Sequence, residues 1–198
     1  EKQMAMEKNI IQITETDVLN LQNLFTSCNI KFITCKDGVE GERYCSFLNK
    51  KGYVDAVLSN DFDSLTFGCK KLLTFNLQNK YVEYCLEDVL NSLNISYSQF
   101  IEMCIACGTD YYPQGVFKYG PVKSLKSVID YGNIENWGIE LGEEFNIDNI
   151  RSIFTKDDEL DYITIENEDQ DIDLNKVEDF LASIDVSFKD NSILEDLL

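Results

Sequence analysis

The chain has 198 residues, of which 44% are hydrophobic and 12% aromatic, a length sufficient for one compact core with an appendage. It carries a formal net charge of −19 and no histidine, which excludes serine–histidine and cysteine–histidine catalysis and removes the commonest zinc ligand. It contains no apolar run of bilayer-spanning length and no signal-like start, so we expect an intracellular protein without a membrane segment.

The first part of the chain alternates helical and strand-like patterns. Thr16 can cap a first helix, and residues 30–34 are rich in β-branched and aromatic side chains, which favours a strand. A second helix is predicted over residues 40–50, with Gly52 ending it. The apolar run over residues 53–59 is typical of a buried parallel strand.

The same alternation continues as far as Gly108. We predict a short helical turn at 62–66, strands at 71–75 and 81–84, and helices at 87–93 and 97–107. Strands that alternate with helices predict an α/β fold with a mostly parallel sheet flanked by helices.

The rest of the chain divides into two regions of different composition. We predict an α/β region over residues 1–108, a helical region over 109–155 and an acidic C-terminal segment over 156–198. Within them, helices are expected at 122–131 and 146–154.

Seven cysteines, an odd number, suit a reducing compartment rather than a disulfide framework. Cys104 and Cys107 form a CxxC motif without a second motif or any histidine, and their apolar setting favours a buried helix over a zinc or redox site.

Five acidic residues occupy positions suited to metal binding. Glu40 and Glu42 stand at a predicted helix start, and Asp61 and Asp63 directly follow a predicted buried strand. Asp110 follows an apolar helix. Ligands collect at the carboxyl ends of parallel strands, and a divalent cation removes the repulsion between carboxylates held close together. The alternative is that these acids are helix caps and a solvated rim, and for any single pair the spacing alone favours that alternative.

Specific motifs occur in order around these acids. Residues 40–68 show Glu-x-Glu, a helix ended by Gly, an Ala-containing strand, Asp-x-Asp and Leu-x-Phe-Gly. Residues 100–111 end a helix in Gly-Thr-Asp-Tyr, and Gly-Pro at 120–121 opens the next helix. This set resembles the internal nuclease region and the helix–two-turn–helix element of the flap endonuclease/XPG family, over about residues 16–131.

The resemblance implies a partial PIN-like nuclease core followed by a DNA-binding helix–two-turn–helix element. It implies that Glu40 and Glu42 belong mainly to a first metal site, and that Asp61, Asp63 and Asp110 build a second. The catalytic ions would be two Mg²⁺, with Mn²⁺ as a substitute. We therefore expect a metal-dependent, structure-specific DNA endonuclease or 5′-exonuclease that cleaves branched or flapped DNA near single-strand/double-strand junctions in replication, repair or recombination.

The predicted DNA contacts lie in the helix–two-turn–helix region. They are Gly115, Lys118, Gly120, Lys123 and Lys126, with the backbone at the helix start facing a phosphate. Spacing alone favours an ordinary solvated lysine face, and the resemblance reverses that weighting. Lys118 stands where many family members have glycine.

One part of the family pattern is missing. Nothing before Glu40 matches the aspartates, the basic pair and the helical arch of the family's N-terminal half, so we expect that half in the same full-length protein and doubt the activity of this chain alone. The alternative is a non-catalytic DNA-binding or interaction subunit that keeps the fold, and a third class is a different metal-dependent phosphohydrolase.

The cellular location of the protein and the role of its acidic segment are each predicted as alternatives. The expected location is the nucleus in a eukaryote, or a virus-infected cell. The segment would repel DNA from wrong surfaces, bind a basic partner, or keep the chain soluble.

Overall fold

The computed structural model describes residues 13–35, 38–78, 80–141, 146–157 and 174–183. The helices and strands are α1 (Glu15–Ser27), α2 (Gly41–Lys51), β1 (Val57–Leu58), α3 (Asp63–Thr66), β2 (Lys71–Phe75), β3 (Tyr81–Cys85), α4 (Leu86–Leu93), α5 (Tyr97–Cys107), α6 (Pro121–Tyr131), a 3₁₀ helix (Ile134–Trp137), α7 (Ile147–Thr155) and α8 (Leu174–Ser183). Most of the acidic segment lies outside the described residues. No helix in the described ranges is both long and apolar enough to cross a membrane.

The chain forms two compact units, one made of Glu1–Thr34 with Ile163–Leu198 and the other of Cys35–Tyr162. In the first unit α1 packs against α8. The cap of α1 is Thr14, and the expectation of Thr16 was wrong because Thr14 forms a reciprocal capping box with Asp17. In place of the strand expected at 30–34, this stretch has a single β-bridge residue, Phe32, whose ring packs against Phe25 at 5.8 Å between centroids.

The second unit is built on a three-stranded sheet of order β1-β2-β3. β1 runs parallel to β2, with Val57 opposite Leu72, and β2 runs antiparallel to β3. The predicted α/β class is confirmed, and the described part of the sheet contains one parallel and one antiparallel pairing.

The first strand is shorter than predicted, and residues 53–56 do not join it. Gly52 ends α2 in a left-handed conformation, with φ of 80°. The backbone N–H of Tyr53 then donates to the carbonyl of Leu48, and the side chain of Asn49 donates to the carbonyl of Val54. These residues therefore close the end of the helix, and their apolar side chains do not mark a buried strand.

Helix α2 is joined to the sheet through a buried amide. The side-chain oxygen of Asn49, which is 3% exposed, accepts hydrogen bonds from the backbone N–H groups of Lys70 at 2.7 Å and Lys71 at 3.2 Å. Because these donors stand at the start of β2, the amide fixes the position of α2 relative to the strand beside β1.

Helix α5 contributes to the core and carries a buried charge. Glu102 is 2% exposed and accepts hydrogen bonds from the backbone N–H of Ile134 at 3.0 Å and from Nε of Arg151 at 2.5 Å. Arg151 also donates to Asp148 and Glu135, and the carboxylates of Glu102, first, and Glu135 raise the pKa of its guanidinium. One arginine thus ties α5, the 3₁₀ helix and α7 together.

We predict that Glu102→Ala lowers the free energy of unfolding by about 3 kcal/mol, because it leaves a largely buried guanidinium and a backbone N–H without their acceptor. Urea unfolding measures the effect. The matched control is Glu135→Ala, which removes a more exposed partner of the same arginine and should cost less than about 1 kcal/mol. Equal losses for the two variants would contradict the assignment of Glu102 as the central acceptor.

Candidate functional site

Two aspartates stand at the carboxyl end of β1 in a tight turn. The strand pairing continues to Ser59, whose N–H donates to the carbonyl of Leu73 at 3.0 Å. The Ser59 hydroxyl accepts from the N–H of Asp61 at 3.0 Å, and Asp61 Oδ1 accepts from the N–H of Asp63 at 2.8 Å. The backbone therefore sets both acids at the sheet end, with Asp63 opening α3.

A third aspartate is held by the tight loop after α5. Gly108 leaves the helix at φ of 107°, and Thr109 and Tyr112 form a two-way backbone bridge around the turn that contains Asp110. Gly115 closes the loop against the helix end, where Val116 N–H donates to the carbonyl of Ala106 at 2.8 Å. This packing gives Asp110 a rigid support.

These three aspartates line one open cleft of about 280 Å³. Burial, the charge of Asp61 and the charges of Asp110 and Glu40 raise the pKa of Asp63 to about 6, although the backbone N–H of Asp110 donates to it and opposes that rise. None of these contributions comes from a basic side chain, so the cleft concentrates negative charge around Asp63.

Glu40 belongs to the same electrostatic group, whereas Glu42 acts on a different side chain. Glu40 precedes α2 and accepts a hydrogen bond from the hydroxyl of Tyr111; together with burial, this bond raises the pKa of Tyr111. Glu42 raises the pKa of the Cys35 thiol, an effect second to burial, and it is not among the described groups that act on Asp63. Asp61, Asp63, Asp110 and Glu40 thus form one electrostatic group, whereas the effect seen for Glu42 is on Cys35.

The donor chemistry of the cleft fits a hard divalent cation. Carboxylates meet there, and the hydroxyl of Thr109, a lining residue, is buried and has no hydrogen-bond partner in the described part of the chain. In the same described residues, no group of three or more acidic or cysteine side chains is arranged so that it could hold a metal ion by itself. The cleft therefore suits a divalent cation by its oxygen ligands and its negative charge, and it does not surround the ion with ligands on all sides.

Sequence reasoning missed several neighbours of the acids. Cys107 and Pro113 line the cleft, so the exposed cysteine of the CxxC motif faces the acidic site rather than the core. Tyr111 also lies near Arg43, which lowers the tyrosine pKa and opposes Glu40. The position of Tyr111 next to Asp110 was the only signal in the sequence that could have indicated its role.

The predicted DNA contacts fall into two groups. Gly115 is buried against the end of α5, so its role is to shape the loop. Gly120 precedes α6, and Lys123 and Lys126 are exposed on that helix. Lys118 adopts φ of 65°, the left-handed conformation that glycine takes most easily.

An aromatic stack holds one of these lysines. The ammonium of Lys123 lies 3.7 Å from the centre of the Tyr119 ring, which stacks on Trp137 at 5.0 Å between centroids. The stack orients the lysine by a cation–π contact.

Known proteins share both this fold and these motifs. The XPG I-region family model matches residues 29–110. Flap endonuclease 1 of Saccharolobus solfataricus is 40% identical over 135 residues, which cover 58% of this chain and 38% of that protein. The chain belongs to the flap endonuclease/XPG family. A probable RAD2-like endonuclease of Invertebrate iridescent virus 6 is 33% identical over 139 residues, or 65% of this chain and 32% of that protein.

The fold of this family member is also similar to that of a solved structure. The catalytic core of Rad2 in complex with DNA substrate matches with a TM-score of 0.79 and 22% identity, covering 100% of this chain and 72% of that chain. The chain spans well under half the length of the two curated relatives above, at 38% and 32%.

We predict that Asp63→Asn stabilises the metal-free chain at pH 7 by about 1 kcal/mol, as measured by urea unfolding. A carboxyl whose pKa is raised from 3.8 to about 6 stabilises the fold while it is protonated, and this contribution is lost as pH rises through about 6. Solvent screening limits the size of the effect. The gain should vanish near pH 4, and the exposed control Asp55→Asn should change stability by less than about 0.5 kcal/mol. A gain no larger than that of Asp55→Asn would contradict the prediction.

We also predict that Gly115→Ala lowers the free energy of unfolding by about 2 kcal/mol or more. The new methyl group would lie 2.6 Å from the carbonyl oxygen of Ala106, at a φ of 53° that side chains rarely adopt. Thermal unfolding measures the loss. In the control, Gly120→Ala, the methyl meets no atom within 4 Å, so the change should stay below about 1 kcal/mol, the cost of alanine at a helix N-cap. Equal stability of the two variants would argue against the packed loop.

Proposed function

We propose that this protein is a metal-dependent, structure-specific DNA nuclease. The observation that carries the proposal is the meeting of Asp61, Asp63 and Asp110, with Glu40 in electrostatic reach, at the carboxyl end of β1. Carboxylates assembled at the cost of mutual repulsion are typical of sites that bind divalent metal. The similar proteins, a flap endonuclease and a probable RAD2-like endonuclease, support the same reaction class.

The proposed cofactor is Mg²⁺, with Mn²⁺ as a substitute. Asp61, Asp63 and Asp110 would hold one ion, and Glu40 and Glu42 would belong mainly to a second. When bound, the pair of ions supplies an activated water and stabilises the leaving oxygen of a phosphodiester. The site of Glu40 and Glu42 would need further ligands from elsewhere in the full-length protein.

Side chains around that site hold the Glu40 carboxylate in place and supply positive charge for DNA. The Tyr111 hydroxyl donates to Glu40, and Tyr111 packs its ring edge-on against Phe67 and Phe154, so the carboxylate is held from a rigid aromatic cluster. On the DNA side, Lys118, Lys123 and Lys126 would bind phosphates, together with the backbone at the start of α6.

The substrate and the cellular role extend the same proposal. The solved Rad2 core is a complex with DNA substrate, and we propose flapped or branched DNA as the substrate here, in replication, repair or recombination. Because the chain covers 38% and 32% of the relatives above, we propose that a further nuclease half in the same protein completes the site. An intracellular location, nuclear or in a virus-infected cell, and a basic partner for the acidic segment remain proposals.

The test is cleavage of end-labelled flap, nicked and four-way-junction DNA with Mg²⁺, using the protein with any coding sequence that precedes residue 1. We expect metal-dependent cleavage near the junction, and a loss of about a hundredfold or more in Asp61→Ala and Asp63→Ala, since ligand loss exceeds the effect of changing a ligand's supporting partner. Unchanged cleavage in both variants would refute the catalytic assignment.

Two further measurements separate the competing functions. Titration with Mn²⁺ followed by electron paramagnetic resonance should show weaker binding in Asp63→Ala than in Asp55→Ala, an exposed control. Metal-independent DNA binding with no cleavage of any substrate would instead favour the non-catalytic subunit.

A further inference from the structure

Two apolar side chains project into solvent between the lysines of the proposed DNA surface. Phe117 is 81% exposed and Val122 is 86% exposed. Phe117 lies in the turn before α6, and Val122 lies in the first turn of that helix. We call these two side chains the apolar patch. Neither side chain is covered by the described part of the chain, so both are accessible to a partner.

The turn is built to present Phe117 outward. Tyr119 N–H donates to the carbonyl of Val116 at 2.9 Å, which closes the turn, and Lys118 takes the left-handed φ of 65°. The Lys118 ammonium lies 5.0 Å from the centre of the Phe117 ring. A cation therefore stands next to the most exposed aromatic ring of the turn, in a conformation that side chains adopt only at a cost.

Charge around the patch indicates the chemistry of what covers it. The stretch from Tyr111 to Ile129 contains lysines and no acidic residue, in a chain of net charge −19. Lys123, fixed over the Tyr119 ring, follows Val122 directly. The patch is thus flanked by cations on both sides, which suits a polyanion that offers apolar surface between its charges, rather than an apolar protein surface.

We propose that Phe117 and Val122 contact the deoxyribose faces of duplex DNA between phosphates bound by Lys118 and Lys123. This inference rests on the proposed nuclease function and deepens it by assigning residues that select the sugar. In a duplex the base faces are covered by their neighbours, whereas the sugar carbons stay accessible along the groove edge. A 2′-hydroxyl would place a polar group against the apolar patch, so the patch favours DNA over RNA in the strand it touches.

The two kinds of contact should respond differently to salt. Phosphate contacts release counterions and weaken as salt rises, whereas apolar contacts do not. We therefore expect Phe117→Ala with Val122→Ala to lower duplex affinity on the order of tenfold at every salt concentration, with the salt slope unchanged. Lys123→Ala should instead reduce the slope by about one.

The experiment measures binding of a fluorescently labelled duplex in EDTA across a salt series by anisotropy, with the full chain and these variants. A second duplex carries ribonucleotides in one strand at a time. Wild type should bind at least one ribo-substituted duplex several-fold less tightly than the DNA duplex, and the double variant should lose most of that difference. The control is Leu77→Ala in the β2–β3 turn, an apolar side chain as exposed as any, which should leave affinity unchanged.

Distinct results would overturn distinct claims. If wild type binds DNA and the double variant binds equally well, the apolar patch has no role and the nuclease proposal survives. If wild type binds no duplex even at low salt, the inference fails, and the cleavage test above decides the nuclease proposal on its own. If the double variant changes the sedimentation mass of the chain and leaves DNA affinity intact, the patch is a protein interface and the inference is wrong. Thermal unfolding of each variant checks that affinity losses do not reflect unfolding.

Discussion

Repulsion between carboxylates on a rigid frame is the constraint on which the rest of this structure depends. Asp61, Asp63 and Asp110 would separate if their supports allowed it, because like charges in a partly buried cleft oppose each other. They stay together because hydrogen bonds of the backbone hold the turns that carry them. The fold therefore holds an excess of negative charge at one end of the sheet, and a bound cation is the simplest group that would neutralise it.

The supports of this cleft come from distant parts of the chain. Asn49 fixes α2 to the start of β2, and so places Glu40 relative to the sheet. Gly108 and Gly115 fold the loop that carries Asp110 back onto the end of α5. Arg151 ties α5 to the helices beyond it through the buried carboxylate of Glu102. A change in any of these contacts would affect the site only by moving the elements that carry the acidic side chains.

Much of this arrangement could be predicted from the sequence because the signals were local. Helix periodicity, glycine at helix ends and the order of the acidic motifs located α2, α5 and α6, and the rule for parallel sheets placed Asp61 and Asp63 at a strand end. The length of β1 could not be predicted, since the backbone of Tyr53 and Val54 is taken up by contacts that close the end of α2. The positions of Glu42 and Cys107 also depend on long-range packing, to which a spacing pattern is blind.

The left-handed lysine before α6 shows how function can compete with folding at a single residue. Glycine would adopt φ of 65° without steric conflict, whereas Lys118 does so at a cost of roughly 1 kcal/mol. Such a cost is tolerable only where the chain has stability to spare or where the cation returns an advantage in binding. Position 118 is therefore a place where adaptation to heat and adaptation to a polyanionic substrate would pull the sequence in opposite directions.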